Sequence, residues 1–128
     1  LVHEIAHAVE NTYGYEIYAD GILENEFLGK RMKMKHLLGH LGYPVEKYDF
    51  FNVDYTKEFD DFLYKEVGYV KLNNVTGQLF ASAYGATSLR EYFANGFEHY
   101  YLFDSRHVSQ TSPVLFGKLQ FLHSLEEN

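Results

Sequence analysis

Residues His3-Glu4-Ile5-Ala6-His7 spell H-E-x-x-H, and this spacing constrains the fold more than any other feature of the chain. The two histidines share a face only if the segment is helical, because i and i+4 side chains are neighbours on a helix. Both imidazoles then reach one point, and Glu4 stands about 100° round from His3, beside that point. Five residues can match by chance, so context decides. Leu1, Val2, Ile5, Ala6, Ala8 and Val9 surround the motif without glycine or proline, which predicts a largely buried first helix over residues 1–10.

Two histidines make an incomplete zinc site. A third protein ligand and an open position for water are needed. Glu4 and His7 also spell E-x-x-H, the pair found in di-iron bundles, but that architecture requires a second such pair and the chain has none. Cysteine ligands, disulfides and cysteine nucleophiles are excluded because the chain has no cysteine. His36 and His40 in "HLLGH" have helical spacing but no adjacent glutamate, and read as a surface or packing pair. His99, His107 and His123 are isolated and read as structural. Glu91 is the better third ligand, since it opens an aromatic-rich helix suited to packing on the first. It has a competing role: Ser88-Leu89-Arg90-Glu91 is a capping box, in which Glu91 turns back to the backbone of Ser88. On local sequence alone the cap is the stronger reading.

The remaining pattern is mostly helical. Residues 25–41 form an expected helix ended by Gly42 and Pro44, and residues 55–67 another with Asp54 as its cap. A short hairpin is expected from 69–72 and 78–82. Residues 88–103 read as a helix despite Gly96, and residues 113–125 as a last helix with Ser112 as cap and Pro113 in first position. The run Lys30-Arg31-Met32-Lys33-Met34-Lys35 reads as a solvated helix face. With a net charge of −7, the chain is not expected to bind nucleic acid or an anionic membrane. No apolar run approaches the length of a membrane span.

A wider match sets Glu91 in context. "SAYGATSLREYFANGFEHYYL" resembles the second active-site segment of the anthrax lethal factor family, zinc metallopeptidases of gluzincin type related to the proline-specific endopeptidases of clostridia. The family pattern reads roughly Y-G-x-T-x-x-x-E-F/Y-F-A-E-x-F. Here Tyr84-Gly85-Ala86-Thr87 is followed by Glu91-Tyr92-Phe93-Ala94 and Phe97. "HEIAHAVENTYGY", "FDDFLYKEVG" and "SPVLFGKLQFL" are similar to other family segments, while residues 21–54 look like an insertion or a divergent stretch. The resemblance implies that His3, His7 and Glu91 bind one Zn2+ per chain, that Glu4 is the general base, and that the Tyr84 phenol steadies the oxyanion. It implies a peptide or protein substrate and a secreted protein.

Two departures accompany it. Asn95 stands where the pattern has a second glutamate, one turn after Glu91, where it is a candidate to support a ligand from behind. The chain also begins just before the motif helix. It is therefore expected to be a mostly α, single-domain piece (residues 1–128), the C-terminal portion of a zincin-like catalytic domain, with the upstream β-sheet absent. The alternative is a catalytically inactive lethal factor-like domain that binds a protein partner.

Overall fold

The computed structural model describes residues 1–77 and 79–126. Every regular element among them is helical: α1 (Val2–Tyr18), α2 (Ile22–His40), α3 (Lys57–Asp61), α4 (Tyr69–Thr76), α5 (Leu89–Leu102), α6 (Ser105–Thr111) and α7 (Pro113–Glu126). Short 3-10 turns cover Val45–Lys47 and Ala83–Ala86, and α3 runs on as a π-helical segment over Phe62–Val67. No helix among the described residues is long and apolar enough to cross a membrane.

The fold is organised around α5. Leu89, Tyr92, Phe93, Ala94, Gly96 and Phe97 are buried on it, and it packs against α1, α2, α6, α7 and the Ala83–Ala86 turn. Burying one such aromatic side chain stabilises the fold by about 1.5–3 kcal/mol. Gly96 is required by that packing: a Cβ there would come within 2.2 Å of Leu115 Cδ2. The glycine weakens the isolated helix but lets α7 approach it closely.

α1 extends past residue 10 to Tyr18, with a non-helical residue at Tyr13. Its buried positions, Ala6, Glu10 and Ile17, follow a single stripe toward α5. The expectation that residues 1–10 are largely buried is therefore corrected. Leu1, Ile5 and Ala8 are exposed, because the packing partners lie on one side only.

The hairpin is also corrected. Residues 69–72 belong to α4, whose buried Leu72 and Thr76 lie one helical turn apart. Of the expected second strand, residue 78 lies outside the described residues, and 79–82 form turns and bends rather than a strand. α3 begins two residues later than expected, with Thr56 rather than Asp54 as its cap: Phe59 N donates to Thr56 Oγ1 at 3.2 Å. Of the apolar residues in 55–67, Phe59, Phe62, Leu63 and Val67 are buried, whereas Tyr55 precedes the helix and is exposed. α6 has no counterpart in the sequence reading and is started by Asp104, whose Oδ1 accepts from Arg106 N at 2.9 Å.

The basic run is the largest departure. Lys30 and Arg31 are not solvated but buried, at 7% and 1% exposure. Arg31 donates to Ala86 O (2.7 Å), Phe50 O (3.0 Å), Asn52 O (3.2 Å) and Thr87 O (3.0 Å), between the rings of Phe27 and Phe59. Desolvation pulls its guanidinium down to about 9. Lys30 donates to Leu79 O, Thr111 O and Ser112 Oγ, and burial lowers its amine to about 8. Ser112 is thus engaged by Lys30. The first N–H groups of α7 go instead to the Glu26 carboxylate, at 2.7 Å from Val114 N and 3.2 Å from Leu115 N.

Candidate metal centre

The packing of α1 on α5 brings His3, His7 and Glu91 together. The Nε2 atoms of the two histidines are 3.1 Å apart, and their rings are nearly perpendicular. Glu91 Oε2 is 3.1 Å from His3 Nε2, and Oε1 is 3.4 Å from His7 Nε2. Among the described residues this is the one group of three or more His, Cys, Asp or Glu side chains close enough to share an ion. His36 and His40 are exposed and lie outside it.

Only half of the expected capping box forms: no bond from Ser88 N to the Glu91 carboxylate is present among the described residues, so the expectation that this side chain turns back to Ser88 is corrected. The Glu91 backbone N–H donates to Ser88 Oγ at 3.1 Å, so Ser88 is the helix cap. Its carboxylate points away from that cap, toward the histidines.

The spacings have a simple geometric meaning. In a tetrahedral site with bonds of about 2.0–2.1 Å, neighbouring ligand atoms stand about 3.3 Å apart. The three contacts bracket that edge. The electrostatics agree. His3 Nδ1 lies 2.6 Å from Glu98 Oε1, and an ionised carboxylate only accepts. A neutral His3 ring that donates from Nδ1 to Glu98 leaves its lone pair on Nε2. Glu91 offers further lone pairs, and its Oε2 is buried without a hydrogen-bond partner. A proton at the convergence point satisfies one pair of these atoms, whereas a cation satisfies all three groups. Two imidazole nitrogens and one carboxylate oxygen suit zinc.

Behind His7 stands the buried Glu10. Its Oε1 is 3.5 Å from His7 Nδ1, too long for a hydrogen bond, and accepts from Arg90 Nε at 2.7 Å. The Tyr18 hydroxyl donates to the other oxygen. Burial, then the bond and charge of Glu10, push that phenol far above its ordinary value.

Glu4 is exposed and makes no hydrogen bond or ion pair among the described residues. Tyr84 lies on the Ala83–Ala86 turn, its ring centroid 6.4 Å from that of His3. Burial, then the charges of Glu91 and Asp60, raise its phenol, so it stays protonated at neutral pH and able to donate. Side chains hold the turn from behind. Ser82 N donates to Asn95 Oδ1 at 3.0 Å, Ala83 N donates to Asn73 Oδ1 at 2.8 Å, and Arg31 ties down Ala86 and Thr87. Gly85 is needed there, since a Cβ would approach Asn95 Oδ1 to 2.9 Å. Asn95 thus supports the Tyr84 turn rather than a histidine.

A cleft of about 500 Å³ opens beside the three groups, lined by His7, Val53, Asp54, Tyr55, Ser88, Arg90 and Glu91. The stretch 21–54 is tied to this site: Arg31 donates to Ala86 O and Thr87 O beside the Tyr84 turn, and Leu89 N donates to Val53 O at 2.9 Å. Sequence reasoning misses Glu98, Glu10 and Arg31. Two of them carry a signal in their spacing. Glu98 follows Glu91 by seven residues on one helix face, and Glu10 follows His7 by three.

Comparison with protein-family models, curated proteins and solved structures finds no match.

Proposed function

We propose that the chain belongs to a zincin-like metallopeptidase domain that hydrolyses peptide bonds with one zinc ion held by His3, His7 and Glu91. The convergence of two Nε2 atoms and a carboxylate at 3.1–3.4 Å carries this reading. The resemblance to the lethal factor family supports it and suggests a secreted enzyme acting on peptides or proteins.

Bound zinc would supply a water that ionises near neutral pH and a Lewis acid for the scissile carbonyl. Glu4 is exposed beside His3 and free of partners, so it can take the proton from the attacking water and return it to the leaving amine. Tyr84 donates its O–H to the oxygen on which negative charge develops. Glu98 holds the His3 ring with Nε2 inward. The cleft beside His7 and Glu91 accommodates an extended stretch of substrate.

The test is hydrolysis of a mixed peptide library, including proline-containing members, by the zinc-loaded protein and its Glu4→Gln variant. The wild type should cleave, and the variant should not, with about one zinc per chain in both. Equal cleavage by the two proteins would remove Glu4 from the chemistry. Zinc binding without cleavage by either would favour the protein-binding alternative.

A further inference from the structure

We propose that Glu98 is the positioning residue of this centre, fixing both the tautomer and the orientation of His3; the inference rests on the metal-site reading above. The His3 ring spans two carboxylates of one helix. Its Nε2 faces Glu91 at 3.1 Å and its Nδ1 faces Glu98 at 2.6 Å. These glutamates are seven residues apart, or two turns along α5. The imidazole therefore cannot rotate without losing a short charge-assisted hydrogen bond.

Other side chains near the centre do not duplicate this role. Glu10 stands behind His7, but its contact is 3.5 Å, and its charge is engaged by Arg90 and Tyr18. Asn95 is turned to the Ser82 backbone. Glu98 has no lysine or arginine partner among the described residues, and its side chain is 28% exposed. Its negative charge thus acts through the His3 ring. It makes Nε2 a stronger donor toward a cation, as carboxylates behind metal-binding histidines do. The site is consequently asymmetric: His3 is held firmly from behind, and His7 only loosely.

The experiment combines zinc affinity, measured by chelator competition, with long-range proton–nitrogen NMR of His3 in the metal-free protein. Wild type, Glu98→Ala and Glu98→Gln are compared, with melting temperature as a control. Glu98→Ala should lose about 10- to 100-fold in zinc affinity, and its His3 should change from the Nδ1–H form to a mixture of tautomers. Glu98→Gln, whose amide oxygen still accepts from Nδ1–H, should keep the tautomer and lose less affinity. Both variants should melt with the wild type. Unchanged zinc affinity in Glu98→Ala, or a His3 that stays wholly Nδ1–H without the carboxylate, would overturn the assignment. A wild type that binds no zinc would sink the metal reading itself, and the His3 tautomer would still decide whether Glu98 governs the ring.

Discussion

Glu91 faces His3 at 3.1 Å while its own backbone N–H is capped by Ser88, so one residue serves the helix through its backbone and the site through its side chain. The two functions should separate by mutation. Glu91→Ala should abolish stoichiometric zinc binding and leave denaturant stability nearly unchanged. Ser88→Ala should retain zinc and lower stability by about 1 kcal/mol, the ordinary cost of an N-cap. Zinc loss in Ser88→Ala alone would reverse the assignment.

Tyr84→Phe keeps the ring and removes only the O–H. The Tyr84 hydroxyl makes no hydrogen bond among the described residues, so its loss should cost little stability. If it stabilises the oxyanion, turnover of a cleavable peptide should fall about 100- to 1,000-fold, or roughly 2.7–4 kcal/mol. Zinc content should not change. Turnover within about a factor of two of wild type would make Tyr84 a wall of the site and nothing more.

Arg31 couples the core to the cleft. Its guanidinium satisfies four carbonyls from residues 50, 52, 86 and 87. Arg31→Met fills much of the volume but leaves those acceptors without their donor, at about 1–3 kcal/mol for each that water cannot reach. Unfolding by denaturant should show a loss of several kcal/mol. Peptide turnover should fall as well, because the Tyr84 turn and the wall at Val53 lose a common anchor. A loss below about 1 kcal/mol would mean that solvent replaces the guanidinium at little cost.

The helical content and the His3–His7 pair are legible in the sequence because both depend on local spacing, whereas Glu91 joins them only through the family resemblance, against a stronger local reading as a cap residue. His3 and His7 are one turn apart, and the aromatic stripe of α5 predicts which side of the helix meets α1. What escapes local spacing is the role of charged residues whose partners are remote. A run such as Lys30–Lys35 reads as surface, and only acceptors 19 to 82 positions away bury its first two members. Asn95 looks placed to support a ligand, yet the fold folds the 82–86 turn back over it. Residues 69–72 alternate over too few positions to distinguish a strand from a helix, and the burial of Leu72 with Thr76 decides for the helix.

The coordination shell of bound zinc tests the metal centre most directly. Zinc is titrated into the protein, its stoichiometry measured, and the shell read by X-ray absorption at the zinc edge. The arrangement of His3, His7 and Glu91 predicts one zinc per chain, with two imidazole nitrogens at about 2.0–2.1 Å and carboxylate or water oxygen at about 2.0–2.2 Å. Loss of one imidazole from the shell in His3→Ala, and of all tight binding in Glu91→Ala, completes the expected pattern. Absence of stoichiometric zinc, or an unaltered shell in both variants, would contradict the account.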